Sequence, residues 1–113
     1  MAENCIFCKI ASHEIPVIPL YEDAEFLAFH DLNPQAPVHV LVIPKAHYAT
    51  VMDVGESELL GRALEAVKRT AQATGLAAEG FRIVVNTGED GGQTVPHLHF
   101  HLLGGRFMQW PPG

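Results

Sequence analysis

His97-Leu98-His99-Phe100-His101-Leu102-Leu103 is the stretch on which the reading of this chain turns. In an extended strand successive side chains point to opposite faces, so the three histidines share one face and Leu98, Phe100 and Leu102 the other. At ~3.3 Å of rise per residue, neighbouring imidazoles start ~7 Å apart. On a helix, at ~3.6 residues per turn, the same side chains would fan around the axis and both patterns would vanish. The stretch reads as a strand with a row of titratable rings above a greasy underside. Three roles compete for the row. It could be a set of partly buried core histidines. It could be a metal site, because two strand histidines at i and i+2 reach one zinc ion. Or the central ring is a nucleophile, flanked by two that orient it or move protons.

Just upstream lies Asn86-Thr87-Gly88-Glu89-Asp90-Gly91-Gly92-Gln93-Thr94-Val95-Pro96, a glycine-rich loop that runs straight into the row. Alone it would pass for a surface turn; joined to the histidines it suggests a site. A phosphoryl group presents negative oxygens, an electrophilic phosphorus and a leaving group in need of a proton. Gly88, Gly91 and Gly92 let backbone N–H groups approach those oxygens. Thr94 adds a hydroxyl. His99 would attack phosphorus, its far nitrogen donating to a fixed acceptor, and water would then release the product. His101 or Thr94 would help protonate the leaving group. Between Asn86 and Gly105 there is no Lys or Arg, which suits a single phosphate better than a triphosphate.

The rest of the chain supplies a scaffold. Its 113 residues, 48% hydrophobic, are enough for one compact domain with a real core. No secretory leader and no apolar run near the ~20 residues of a membrane helix is seen, which points to a cytoplasmic protein that binds no membrane. The formal charge of −6 and the scattered seven Lys and Arg argue against nucleic-acid binding. A short helix is expected over Cys5–Ala11 and strands near Leu20–Glu22, Glu25–His30, Val38–Ile43 and Phe81–Val85. Leu59, Leu60, Ala63, Leu64, Val67 and Ala71 form an apolar stripe that predicts a long helix from about Glu56 to Ala73, stopped by Gly75. The sum is α+β: a five-stranded antiparallel sheet with one main helix and a short N-terminal one. The tail from Gly104 to Gly113 is too rich in Gly and Pro for regular structure, yet Phe107, Met108 and Trp110 suggest that it packs on something.

The histidine row resembles the histidine triad motif, and the likeness to the histidine triad nucleotide-binding (Hint) branch runs along nearly the whole chain. It includes Phe29-His30-Asp31-Leu32, Pro34-Gln35-Ala36-Pro37, His39, Val42-Ile43-Pro44-Lys45, Gly91-Gly92-Gln93, Gly104-Gly105-Arg106 and the Trp110-Pro111-Pro112-Gly113 ending. The resemblance implies a single domain over 1–113 with residues 104–113 as a tail near the site, and a homodimer whose sheets join into one of ten strands. It implies hydrolysis of purine nucleoside phosphoramidates, with aminoacyl-adenylates among the substrates of close relatives, without a catalytic cofactor. By position His99 matches the nucleophile, and His39, His97 and His101 its supporting histidines. Asn86, Gly92, Gln93, Thr94 and Val95 match the phosphate end of the pocket and Asp31 the grip on the ribose hydroxyls. Ile6, Phe7, Ile10, Phe29, His30 and Leu32 match the purine slot. Trp110 matches a residue reaching the neighbouring subunit's site. Thr94 stands where many Hint proteins have Ser, and Pro96 precedes the triad at a position a strand's start tolerates.

Cys5-Ile6-Phe7-Cys8 points to metal or redox chemistry sooner than to a structural disulfide. Some relatives with such a pair bind zinc through two further histidines, by position His47 and His97 here, a sound tetrahedral set for a structural ion. Two alternatives stand beside the phosphoramidase: a dinucleoside polyphosphate hydrolase or nucleotidyl transferase, and a non-catalytic nucleotide- or zinc-binding module.

Overall fold

The computed structural model describes residues 4–113. Its elements are α1 (Ile6–Ala11), β1 (Tyr21–Glu22), β2 (Phe26–His30), β3 (Val38–Pro44), a single 3₁₀ turn at Val51–Asp53, α2 (Ser57–Ala73), β4 (Phe81–Val84) and β5 (Phe100–Gly104). The five strands form one antiparallel sheet in the order β1-β2-β3-β5-β4. The α+β expectation holds.

Strand alternation sorts the apolar side chains into two layers. Phe26, Ala28, Val40, Val42, Phe100 and Leu102 face α2 and pack on its Leu59, Ala63 and Val67. Leu27, Phe29, Leu41 and Ile43 face the other way, against Phe7, Cys8, Ile10 and Ala11 of α1. β3 is therefore buried on both sides, as its unbroken apolar run demands. Burying side chains of this size contributes roughly 1.5–3 kcal/mol each.

The long helix begins at Ser57 with Glu56 as its N-cap and ends at Ala73. Two residues depart from the expected stripe. Leu64 is 48% exposed, whereas Thr70 is fully buried. The Thr70 hydroxyl donates to the Ala66 carbonyl at 2.8 Å, which removes the penalty of burying it.

The expected strand through the histidine row is the larger correction. Only Phe100–Gly104 belongs to the sheet; His97, Leu98 and His99 approach it outside any ladder. Val42 pairs with Phe100, and the next alternate pair would set Pro44 against Leu98. Pro44 has no N–H to give, so pairing stops there. The Leu98 N–H goes instead to the Tyr48 carbonyl at 2.6 Å. The alternation of faces survives this: Leu98 joins the α2 core with Phe100 and Leu102, while Phe7 meets His97 and His99 on the other side.

Candidate active site

The face covered by α1 carries the histidines. β3 and β5 pair His39 with Leu103 and Leu41 with His101, and paired residues share a face, so His39 and His101 lie diagonal to each other. Their ring centroids are 5.2 Å apart, and those of His99 and His101 5.0 Å. Both lie closer than the ~7 Å that strand spacing alone allows, because the rings lean together.

They form one wall of a cleft of about 500 Å³. Ile6, Phe7 and Ile10 of α1, with Phe29 and Leu41 of the sheet, give it apolar surface. Asp31, Thr94, His99 and His101 bring polar groups into the same cleft. Leu32 and Val95 also line it, and so do Asn33 and Gln35, which sequence reasoning passed over. The Leu32 side chain is wholly exposed at the rim. Ile6 is also half-exposed, so the cleft's apolar lining is open to solvent at these two residues.

Backbone contacts determine which ring nitrogens carry protons. The Gln35 N–H donates to His39 Nδ1 at 3.0 Å, so the neutral His39 ring holds its proton on Nε2. That Nε2–H lies 2.9 Å from His101 Nδ1 and 3.4 Å from Asp31 Oδ2. His101 then keeps its own proton on Nε2. His99 Nδ1–H donates to the His97 carbonyl at 2.7 Å, leaving the electron pair on its Nε2. Each ring is thus fixed in one tautomer, two as donors and the middle one with an electron pair on Nε2.

Charge is kept off the supporting rings. Burial pushes His101 down to about 4, with the neighbouring His99 and His39 adding to the effect. Burial also lowers His39, opposed by the Asp31 carboxylate. His101 accordingly enters as a neutral ring that holds an extra proton poorly and presents its Nε2–H as a hydrogen-bond donor.

The glycine-rich loop is fastened from within. Gln93 N–H donates to the Gly88 carbonyl and Gly92 N–H to the Glu89 carbonyl, both at 3.0 Å. The Gln93 side chain accepts from Gly88 N–H and donates to the carbonyls of Ala49 and Val95. It staples the loop; Thr94 is the loop residue that faces the cleft with Val95. Gly92 lies in the loop's turn, at φ +76°. His30 is exposed at the end of β2, away from the cleft lining. Asn86 borders a smaller recess of about 260 Å³ on the far side of His39 and His101.

That recess also receives Arg82 and Arg106. The cleft itself has no Lys or Arg in its lining, in keeping with the cation-free stretch from Asn86 to Gly105, and the guanidinium groups gather in the recess beside it. Arg82 reaches in from β4 and binds the Gln109 carbonyl at 2.9 Å; Arg106 binds the Gln35 carbonyl at 3.1 Å. These contacts hold the tail against the site, with Met108 and Pro112 at the recess and Trp110 80% exposed. Sequence distance hid Arg82, and only strand order could have revealed it.

Behind the cleft, Cys5, Cys8, His47 and His97 bring one donor atom each to within 4.8 Å of one another. His97 Nδ1 lies 3.2 Å from Cys5 Sγ, 3.5 Å from Cys8 Sγ and 3.2 Å from His47 Nδ1. His47 Nδ1 is 3.2 Å from Cys8 Sγ. A tetrahedral zinc with bonds of ~2.3 Å to sulfur and ~2.05 Å to nitrogen sets its nitrogens ~3.3 Å apart and each sulfur ~3.5 Å from a nitrogen. The four groups fit such an ion. The His97 Nε2–H donates to the Pro44 carbonyl at 2.8 Å, which turns the Nδ1 electron pair into the cluster.

Comparison with known proteins agrees with this architecture. A family profile described as the HIT domain matches residues 12–108. An uncharacterised HIT-like protein of Synechococcus elongatus is 54% identical over the whole of both chains. Protein HitA of Neisseria gonorrhoeae is 47% identical over 90% of this chain and 96% of its own. Among solved structures, a HIT family hydrolase from Legionella pneumophila superposes with a TM-score of 0.92 at 55% identity, covering 97% of this chain and 100% of that one.

Proposed function

This chain belongs to the HIT domain family, and from that footing we propose that it hydrolyses purine nucleoside 5'-phosphoramidates, and aminoacyl-adenylates as related substrates, through a covalent nucleotidyl intermediate on His99. The observation that carries the reading is the 2.7 Å bond from His99 Nδ1–H to the His97 carbonyl, which leaves an electron pair on the other ring nitrogen for nucleophilic attack.

The purine packs among Ile6, Phe7, Ile10, Phe29 and Leu32, and the Asp31 carboxylate accepts from the ribose hydroxyls. Thr94 holds the phosphoryl oxygens from the loop side, because the Gly88, Gly92 and Gln93 N–H groups are bonded within the loop. His99 Nε2 gives its electron pair to phosphorus while the P–N pair departs with the amine. His101 Nε2–H hydrogen-bonds the departing amine, which takes its proton from solvent, and the positive charge growing on the His99 ring, 5.0 Å away, polarises that bond. Water then attacks phosphorus, breaks the bond to His99 Nε2, frees the mononucleotide and gives up its proton to solvent. His39 holds His101 in the tautomer this requires. Cys5, Cys8, His47 and His97 would hold a structural zinc, whose chemistry is to tie the N-terminal segment to the core. Two copies joined along β4 would place each exposed Trp110 at the partner's leaving-group side.

Incubation with an adenosine phosphoramidate should release AMP, and His99→Ala should lower the rate by at least about 1,000-fold. Nucleotide binding without turnover by the native chain would instead make it a binding module. A second reading has its own support: Arg82 and Arg106 beside His101 suit an anionic leaving group, as in a dinucleoside polyphosphate. Faster AMP release from such a substrate than from the phosphoramidate would favour it.

A further inference from the structure

α1 is six residues long, well short of the ~12–15 that a helix needs to persist by itself in water. Its position depends on what its side chains grip, and besides the sheet core of Leu27, Phe29, Leu41 and Ile43 they grip two things. Cys5, its N-cap, and Cys8 reach His97 and His47 in the donor cluster. Ile6, Phe7 and Ile10 line the cleft. Phe7 lies between the two, its ring edge-on to His97 at 5.8 Å and to His99 at 5.1 Å. His97 is likewise shared, since its ring belongs to the cluster while its carbonyl orients His99.

Resting on the nucleotide and zinc readings above, we propose that Cys5 and Cys8 are positioning residues for the reaction: an ion held by the cluster anchors α1, and α1 in turn sets the base wall and the His99 ring. Ion and nucleotide then bind cooperatively. Coupling of this kind is reciprocal, so each tightens the other by the same factor, typically ~5- to 150-fold. Neither thiol touches the cleft chemistry itself. Their influence passes through Phe7 on one side and the His97 carbonyl on the other.

The experiment uses the full chain loaded with zinc and a chromogenic chelator at equilibrium, with and without saturating AMP, while calorimetry on the same sample verifies AMP binding. Zinc affinity should tighten about tenfold with AMP. In Phe7→Ala, which keeps all four donors, zinc should bind at the same stoichiometry and AMP, again at saturation, should no longer tighten it. Equal zinc affinity with and without bound AMP overturns the coupling and leaves the phosphoramidase reading standing. Tightening that persists in Phe7→Ala also overturns it, because the effect would then come from folding as a whole. A chain that takes up no zinc removes the coupling and the zinc site, and one that binds no AMP removes the coupling together with the nucleotide site.

Discussion

His101 and Gly91 carry the sharpest expectations at the scale of single residues. The folded His101 lies near 4, below the value of about 6.5 for an unperturbed imidazole. A depressed histidine stabilises the fold above its unfolded value and loses that contribution as pH falls toward the folded one. Unfolding by urea should therefore show stability declining from about pH 6.5 to about pH 4, and His101→Asn should make that part of the profile shallower, with the lowered His39 and His97 supplying the remaining slope. A Cβ at Gly91 would lie 2.4 Å from the Thr87 carbonyl oxygen, with backbone and no flexible side chain in the way. Gly91→Ala should then distort the loop that delivers Thr94 and raise KM for the nucleotide about tenfold or more, a loss of the order of 1–2 kcal/mol.

The elements differ in how much of their packing their own pattern reveals. α2 was legible as a helix from its stripe, but Leu64 lies outside the contact and Thr70 within it. Periodicity gives a face to within a residue either side; the packing against the sheet selects the members. Leu102 lies on β5 with no exposed surface, in the α2 layer. Leu102→Ala should cost about 2–5 kcal/mol in chemical denaturation, whereas Leu64→Ala should stay within about 0.5 kcal/mol. The lead-in to β5 was misread for a different reason. Its alternation was correct, yet a ladder also needs a partner with donors, and Pro44 ends the supply.

At the scale of the whole molecule, β4 is an outer strand whose Phe81 and Ile83 are 37% and 39% exposed. An open, apolar edge invites pairing, and the partner proposed for it is a second copy. Sedimentation should report a dimer, and Ile83→Glu should shift it to the monomer with far-UV circular dichroism unchanged. Among the described residues no helix is long and apolar enough to cross a membrane.

Local pattern alone determined the α+β class, the long helix and the grouping of chemistry around His97, His99 and His101, because alternation and helical spacing are properties of neighbours in the chain. Tertiary structure decided what no neighbour could. It brought Arg82 and Arg106 beside His101, placed Asn33 and Gln35 at the cleft, and let the Gln35 N–H and the His97 carbonyl choose the tautomers. It also drew Cys5 and Cys8 onto His47 and His97 across the breadth of the sequence. A proton's place on an imidazole is settled by the group facing its other nitrogen, and that group is known only once the chain has folded.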